Sequence, residues 1–324
     1  MKPRLSFQFL AGFGLVALLL PGLTIAQPDT NRFSFRRGLM GTQFTLTLYA
    51  PDSLTAHRAN AAVTNRMDSL NQIMSDYLDG SEINRLSQTS GQDRWVPVSL
   101  DLFTVLQKAR IIAQLSKGRF DPTIGPLSQL WRRAVRRGEF PTAKQRRRAR
   151  RVVGYRLMQL DSATRSVKLL RSGMRLDVGG IGQGFAIDEA ASVLRGLGLH
   201  TFLLDLGGDV LAGEGTWRVA LDSSLTVSLR NAAITTSGDT YRHLDYQGRR
   251  YSHVMNPRSG LGLRHFVQAT VLAPDGWRAD ALTKVFSVAG LRRSRQFLRQ
   301  LPDVRLRVLE NKRGRLRKWQ SAPF

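Results

Sequence analysis

A glycine-rich stretch, Asp177–Ala190 with the sequence DVGGIGQGFAIDEA, has the composition of a phosphate-binding turn. Gly180, Gly182 and Gly184 would let the backbone approach an anion closely, because glycine has no Cβ. The helical pattern that begins near Phe185 would point free N–H groups at the same anion. The spacing GxGxG departs from the dinucleotide fingerprint, so a Rossmann unit is disfavoured, and a tight strand–helix turn without a ligand remains an alternative.

Seven further motifs accompany this loop, and their order along the chain is more specific than any one of them. With the loop included, they are MGTQF, MSDYLDGSEINRLS, FDPTIGPLSQLW, LDVGGIGQGFAID, LLDLGGDV, TTSGD, YSHVMNPRSG and ADALTKVFSVAG. This set and order resemble the ApbE family, the FAD:protein FMN transferases, from about Met40 to Gly290.

The resemblance implies an exported α+β enzyme that binds FAD and a divalent metal, usually Mg²⁺. Such an enzyme would split the pyrophosphate, transfer FMN to a Thr or Ser hydroxyl of an acceptor protein, and release AMP. The implied acceptors are flavin-carrying subunits of redox complexes. Two alternatives stay open. One is an FAD-binding homologue with lost or altered transferase chemistry, acting as an FAD carrier or FAD pyrophosphatase. The other is a non-enzymatic exported binding module.

Eleven positions match residues that contact FAD in the family. Tyr77 would stack on the flavin, since an aromatic face suits a flat ring, although such a tyrosine could equally be half-buried in a core. Asp177 would touch the nucleotide, or else form a strand-end hydrogen bond. Asp121 precedes a proline, so a local turn cap is its alternative. The full set is Met40, Tyr77, Arg119, Phe120, Asp121, Asp177, Gln183, Ser237, Gly238, His253 and Met255.

The resemblance also assigns the metal and the catalytic groups. Asp280 would be the metal carboxylate, because a hard cation that bridges phosphates prefers oxygen ligands, and Gly180 would add a backbone carbonyl. A helix N-terminal acid is the alternative for Asp280. His253 is the candidate catalytic histidine, either taking the proton of the acceptor hydroxyl or orienting the phosphates. Asp280 is the second catalytic candidate.

Three positions depart from the family pattern. Gln183 stands where the family has Lys, and Asn256 where it has Asp. Lys284 occupies the metal-binding Thr position, while Thr283 lies one residue early. Lys284 follows Asp280 by four residues on one helical face, so its ammonium could pair with Asp280 in place of the cation. Alternatively, Lys284 points outward and Thr283 or water completes a weaker site. We therefore hypothesise that the protein binds FAD with little or no need for Mg²⁺, or transfers FMN slowly.

The first 26 residues have the pattern of a secretory signal peptide. Lys2 and Arg4 precede an apolar run, and Ala26 provides a small residue before a cut at Gln27. An uncleaved membrane anchor is the alternative. The expected location is exported, periplasmic or attached to the outer face of the inner membrane, with one FMN transferase domain over residues 27–324. The chain has no cysteine, which excludes disulfides, thiolate-bound metals and thiol catalysis.

The net charge of +25 favours anionic partners. The most basic segment is Trp131–Arg151, and in its stretch QRRRARRVV positive residues cover nearly every position instead of one stripe. A solvated helical face, with arginine stems lying over apolar surface, is the favoured interpretation. Peripheral contact with an anionic membrane, or with an acidic partner protein, is a possible alternative. No nucleic acid is expected, because no aromatic residues interleave with the arginines of QRRRARRVV and an export signal precedes the domain.

Helical and strand patterns mix along the chain without strict βαβ alternation. The expected fold class is therefore α+β, a single domain with a mixed or antiparallel sheet flanked by helices. Predicted helices include Ser53–Met74, a short one opened by Ser81, Leu100–Leu115, two short ones separated by Gly138, one from about Phe185, and one through DGWRADALTKVFSVAG. Predicted strands include Phe44–Ala50, Tyr155–Leu160, Ser166–Leu170, FLLDLGGDVLAG, WRVAL, LTVSLR, AAITTSGD, FVQATVLA and one before a basic tail.

Overall fold

Paired strands in this chain are connected either by short hairpin turns or by long segments of chain. The computed structural model describes residues 30–222, 225–238, 243–312, 314–321 and 324. The strands of this described part are β1 (Asn31–Leu39), β2 (Thr42–Ala50), β3 (Val96–Pro97), β4 (Met158–Asp161), β5 (Ser166–Leu169), β6 (Phe202–Leu206), β7 (Asp209–Ala212), β8 (Trp217–Asp222), β9 (Leu225–Leu229), β10 (Ala232–Gly238), β11 (His243–Tyr246), β12 (Arg249–Ser252), β13 (Met255–Asn256), β14 (Leu261–Gly262), β15 (Phe266–Ala273), β16 (Arg305–Lys312) and β17 (Arg315–Gln320).

Four helices of the described part begin at an N-cap residue whose side chain accepts from a free backbone N–H group. Asp52 accepts a 2.7 Å hydrogen bond from the Thr55 amide at the start of the first helix, and Ser81 and Ser99 cap the next two. The helices of the described part are α1 (Ser53–Met74), α2 (Glu82–Gln88), α3 (Leu100–Leu115), α4 (Gly125–Arg137), α5 (Ala143–Arg150), α6 (Gly182–Gly196) and α7 (Gly276–Leu298). Helix α7 is interrupted at Gly290, whose φ is +70° and ψ is 165°.

An eight-stranded sheet in the order β1-β2-β6-β7-β10-β15-β16-β17 forms the centre of the fold. Every pairing in it is antiparallel. Helices α1, α6 and α7 pack on one face and bury the main core. The β8–β9 hairpin contributes to a smaller apolar cluster with side chains from the other face, including Val210 and Ile234. The expectation of an α+β domain is confirmed, and its main sheet is antiparallel.

A third apolar cluster joins α4 to the hairpins β11–β12 and β13–β14. Trp131 lies at its centre, with Phe140 and Tyr251 each 5.8 Å away between ring centroids. Trp131 and Phe140 belong to the arginine-rich segment, so that segment is anchored by its own aromatic residues. Helix α5, by contrast, has no buried residue, as expected for a solvated basic face.

Most element predictions are confirmed, and the errors have local causes. The helices Ser53–Met74 and Leu100–Leu115 have the predicted bounds, and Gly138 ends α4 in the left-handed conformation. The predicted strand from Tyr155 is wrong at its start, because Tyr155–Leu157 forms a 3₁₀ turn. The basic tail after β16 was also mispredicted, since it folds back as strand β17.

The predicted signal peptide, residues 1–26, lies outside the described residues. Within the described part, no helix combines the length and the apolar character needed to cross a membrane.

Candidate active site

The glycine-rich loop is folded back on itself by hydrogen bonds between neighbouring residues. The Gly179 amide donates to Oδ1 of Asp177 over 2.9 Å, and the Gly182 amide donates to the Val178 carbonyl over 2.8 Å. These bonds start α6 at Gly182, three residues before the predicted start. A Cβ added to Gly180 would lie 3.2 Å from the Phe120 ring and 3.5 Å from Cγ of Lys284. The loop therefore places Gly180 between Phe120 and Lys284, as a compact binding site requires.

Asp280 lies beneath the start of α6 and is fully buried. Its Oδ2 accepts a 3.1 Å hydrogen bond from the Gly184 amide, in the first turn of α6. Its Oδ1 accepts a hydrogen bond from the ammonium of Lys284, four residues later on α7. The pairing predicted from the sequence spacing is therefore present, and both carboxylate oxygens have donors. The alternative of an N-terminal acid of its own helix is wrong, because Asp280 lies beyond the first turn of α7 and accepts from the first turn of α6 instead.

Helix α6 in turn caps the N-terminus of α7. Asp188 on α6 accepts hydrogen bonds from the Gly276 and Trp277 amides, at 2.8 and 2.9 Å. Burial raises the pKa of Asp188 to about 6, while these two amides oppose the shift. The two helix N-termini therefore cap each other, which holds Asp280 in a fixed position under the loop.

The two helices approach so closely that only glycine fits at their contact. A Cβ on Gly184 would lie 2.2 Å from the Gly276 carbonyl oxygen and 2.7 Å from Cβ of Asp280. Both distances are far below van der Waals contact. Gly184 is thus required by helix packing, in addition to any role beside phosphate.

A second carboxylate, Asp209, faces this pair from the main sheet. It begins β7 after the Gly207–Gly208 turn and stands opposite Thr235 on β10. Burial, together with the charge of Asp280, raises the pKa of Asp209 to about 8, and the charge of Lys284 opposes the shift. Asp209 lies in the motif LDLGGDV but is not among the site residues predicted from the sequence. A buried acid directly after a glycine turn is the signal that could have found it.

Lys284 is the cation of this buried cluster. Burial lowers its pKa, but the charges of Asp280 and Asp209, together with the hydrogen bond to Asp280, raise it above its ordinary value. Its ammonium is therefore charged at neutral pH, although the side chain is only 25% exposed. The alternative in which Lys284 points outward is wrong.

Thr283 is buried and its hydroxyl donates a 2.7 Å hydrogen bond to the carbonyl of Asp280. Its own carbonyl accepts from Ser287 in the next turn. The Thr283 hydroxyl therefore bonds to the backbone of its own helix. Its orientation is fixed by α7 and not by the glycine-rich loop.

A second cluster surrounds the predicted flavin-stacking residue. Tyr77 is 74% exposed, so the alternative of a half-buried core tyrosine is wrong. The Arg132 guanidinium lies 4.2 Å from the centre of its ring. Arg132 also pairs with Asp76, and its Nη2 is 3.4 Å from Oδ2 of Asp177. Tyr77 and Asp177, predicted together from the sequence, are thus joined through an arginine that the sequence analysis treated as part of a basic segment.

Asp76 is the buried member of this second cluster, with a side chain only 7% exposed. Burial raises its pKa, the charge of Asp177 raises it further, and Arg132 opposes both. Arg132 therefore pairs with two acids and stacks on an exposed ring. Neither Asp76 nor Arg132 was selected from the sequence, because nothing local in MSDY or LWRR indicates their pairing.

Arg119 and Asp121 are engaged in structural contacts. Asp121 accepts hydrogen bonds from the amide and hydroxyl of Thr123, at 2.9 and 2.6 Å, and from the Tyr155 amide at 2.8 Å. Arg119 donates to the Ser116 carbonyl over 2.8 Å and lies over the Phe297 ring. Asp121 is thus the local cap that its position before a proline allowed. Phe120, between them, is buried and touches the loop.

Met40, Asp209, Ser237 and Gly238 lie at one end of the main sheet. Met40 is in the two-residue turn between β1 and β2, with φ +49°. Ser237 follows Thr235 by two residues on β10, so it shares the sheet face that carries Asp209. Gln183 lies in the first turn of α6, and its side chain is partly exposed.

His253 and Met255 lie in the part of the chain that forms the hairpins β11–β12 and β13–β14. His253 is exposed in the bend between β12 and β13. Met255 is buried in the cluster around Trp131 and Tyr251. Asn256, which replaces the family Asp, accepts a 3.0 Å hydrogen bond from the Arg258 amide and forms a turn.

The residues assigned to the metal do not fit a divalent cation as they are arranged. Both oxygens of Asp280 are taken by hydrogen-bond donors, and the ammonium of Lys284 lies where a cation would bind. Across the described residues, no group of three His, Asp or Glu side chains is placed to hold a metal ion. In this chain, the positive charge next to Asp280 is the ammonium of Lys284.

Comparison with known proteins gives one consistent result. A model of the ApbE family matches residues 40–308. An FAD:protein FMN transferase of Klebsiella pneumoniae is 29% identical over 287 residues, covering 85% of this chain and 88% of the relative. One of Haemophilus influenzae is 26% identical over 304 residues, covering 87% and 88%.

Solved structures show the same fold. The apo form of Pseudomonas stutzeri flavinyl transferase ApbE matches with a TM-score of 0.81 at 23% identity, covering 90% of this chain and 95% of that one. The flavin transferase ApbE from Vibrio cholerae matches with a TM-score of 0.78 at 22% identity, covering 91% and 98%. Because the family match spans most of the chain, this protein belongs to the ApbE family.

Proposed function

We propose that this protein is an FAD:protein FMN transferase, which attaches FMN to an acceptor protein and releases AMP. The observation that carries the proposal is the family match over residues 40–308, with relatives of that name along most of their length. The geometry supports it, because one loop connects an exposed aromatic ring near Asp177 with the buried acids beneath Gly184.

The reaction needs an attack on one phosphorus of FAD. A Thr or Ser hydroxyl oxygen of the acceptor bonds to the phosphorus of the FMN half. The bond from that phosphorus to the bridging oxygen breaks, and its electron pair leaves with AMP. The hydroxyl proton passes to a base, for which His253 is the candidate because it is an exposed histidine in the matched motif. The products are an FMN phosphoester on the acceptor and free AMP.

Binding would rely on two parts of the site. The flavin would stack on the face of Tyr77 that Arg132 leaves open, which gives the ring a cation-backed aromatic platform. The pyrophosphate would lie over the loop before α6, where helix N–H groups and the Lys284 ammonium attract negative charge. Met40, Gln183, Ser237 and Gly238 would border the nucleotide from the sheet end and the helix start.

The reaction that we propose has no step that requires Mg²⁺. The resemblance implied a divalent metal, but the Asp280 carboxylate already pairs with Lys284 in this chain. The charge on the developing phosphate would instead be met by the loop N–H groups and by ammonium or guanidinium groups.

The acceptor would be a flavin-carrying subunit of a redox complex outside the cytoplasm. The signal-peptide pattern of residues 1–26 supports export to the periplasm or to the outer face of the inner membrane. The exposed arginines of α5 would favour an acidic acceptor or contact with an anionic membrane.

The proposal is tested by incubating the protein with FAD, Mg²⁺ and a purified flavin-carrying acceptor subunit. Mg²⁺ is included so that the outcome does not depend on the metal question. In-gel flavin fluorescence on the acceptor, with equimolar AMP, is the expected result. Asp280→Asn should lose labelling, whereas Asp79→Asn, at an exposed acid, should retain it. FMN and AMP without label would indicate a pyrophosphatase, and bound FAD without turnover a carrier; either would refute the transferase proposal.

A further inference from the structure

We propose that the ammonium of Lys284 replaces the divalent cation of this site, so that the protein binds FAD pyrophosphate without metal. This inference rests on the proposed function for the identity of the ligand. The evidence for the cation comes from the structure, in which the Lys284 ammonium on α7 pairs with the buried carboxylate of Asp280.

The carboxylate of Asp280 is already occupied. Asp280 receives the Lys284 ammonium on one oxygen and the Gly184 amide on the other. A metal ion would have to displace a charged partner from a site with no exposed surface on Asp280, and would then face an ammonium at close range. Binding of a divalent ion is therefore opposed by both geometry and charge.

The side chain of Lys284 lies against the loop that would hold phosphate. The stem of Lys284 passes beside Gly180, where an added Cβ would lie 3.5 Å from its Cγ and 3.8 Å from its Cδ. An ammonium has three N–H donors, and Asp280 is its hydrogen-bond acceptor among the described residues. The other donors are free to bind phosphate oxygens without leaving Asp280.

The N-terminus of α6 lies beside this pair, because the helix begins at Gly182 and its Gly184 amide donates to Asp280. The free N–H groups at this helix end attract an anion in addition to the Lys284 ammonium.

The test measures metal binding and FAD binding separately. Mn²⁺ binding is followed by electron paramagnetic resonance with the wild type, Lys284→Thr, Lys284→Arg and the control Lys144→Thr, which removes one exposed lysine of α5. Lys284→Thr restores the oxygen ligand of the family pattern one turn after Asp280. We expect Lys284→Thr to gain a Mn²⁺ site, and the wild type, Lys284→Arg and Lys144→Thr to have none. A Mn²⁺ site in the wild type that Asp280→Asn abolishes would overturn the inference.

FAD affinity is measured by flavin fluorescence in a chelator and in excess Mg²⁺. We expect the wild-type Kd to be the same in both, whereas Lys284→Thr should bind roughly tenfold more weakly in the chelator, for loss of one charge-assisted contact. A wild-type Kd that rises at least about tenfold in the chelator would overturn the inference. If the wild type binds no FAD, the proposed function fails, and the Mn²⁺ measurement still decides whether Lys284 excludes a metal.

Discussion

The ammonium of Lys284 hydrogen-bonds to Oδ1 of Asp280, one helical turn earlier on α7, at the position where a divalent cation would bind. The other oxygen, Oδ2, accepts the Gly184 amide from the start of α6. One buried carboxylate thus joins the helix contact, the glycine loop and the cation of the site.

A double-mutant cycle between Asp280 and Lys284 should reveal strong coupling. Asp280→Asn keeps an acceptor for Gly184 but leaves the ammonium unpaired, at a cost of about 2–4 kcal/mol, because Lys284 retains some exposure. Lys284→Met leaves a buried charge and should cost a similar amount. The double variant should cost less than the sum by at least about 1 kcal/mol, measured by denaturant unfolding. Additive costs would mean that the pair does not interact.

Replacing Gly184 by alanine should disrupt the contact between α6 and α7. Its Cβ would overlap the Gly276 carbonyl oxygen at 2.2 Å, so we expect a loss of about 1–3 kcal/mol in the free energy of unfolding. The matched control is Gly182→Ala, in the same helical turn, where the nearest atoms are 3.9 and 4.0 Å away. That change should be neutral or stabilise by up to about 1 kcal/mol. Equal effects of the two substitutions would contradict the proposed packing.

Asp209 should make the protein less stable as pH rises. Its folded-state pKa of about 8 lies above the ordinary value of 3.8, so the folded protein holds this proton where the unfolded chain has lost it. The stabilisation is complete below pH 3.8 and is lost as pH rises through about 8. Between pH 3.8 and about 8, Asp209→Asn should reduce the fall of the free energy of unfolding with pH by up to about 1.4 kcal/mol per pH unit.

Chemical unfolding at a series of pH values measures this slope. Asp188→Asn provides a comparison, because the pKa of Asp188 is raised only to about 6, and its effect should end at lower pH. An unchanged slope in Asp209→Asn would show that the carboxyl is ionised in the folded protein.

Arg132 should contribute to FAD binding, whereas its neighbour Arg133 should not. Arg132 backs the Tyr77 ring and pairs with Asp76 and Asp177, while Arg133 is exposed on α4. We expect Arg132→Gln to raise the FAD Kd by roughly tenfold, through loss of the cation–π contact and of charge balance. Arg133→Gln should leave the Kd unchanged, as followed by flavin fluorescence. Equal effects would indicate only a general influence of net charge.

The features that could be predicted from the sequence are those that depend on residues close together in the chain. Helices α1 and α3 were predicted with correct bounds, because apolar spacing and N-cap residues are local signals. The Asp280–Lys284 pair was predictable for the same reason, since both residues lie on one helical face. Tyr77 and Asp177 were selected by motif resemblance, and the structure brings them together through Arg132.

Other parts of the site depend on contacts that no local pattern records. Arg132 pairs with Asp76, 56 positions away, and looks like one more arginine in a basic run. The reciprocal caps join residues 96 and 88 positions apart, so they exist only once α6 and α7 have packed. The pairing of β7 with β10 creates the environment of Asp209 in the same way.

The most direct test of the account is the intact mass of a flavin-carrying acceptor subunit after incubation with FAD and the wild-type protein in a metal chelator. The account predicts that the acceptor gains the mass of one FMN phosphoester and that AMP appears in equal amount. Lys284→Thr should give this product only after Mg²⁺ is added. An acceptor that the wild type labels in Mg²⁺ but leaves unlabelled in the chelator would contradict the claim that Lys284 replaces the metal, and an acceptor unlabelled under both conditions would contradict FMN transfer itself.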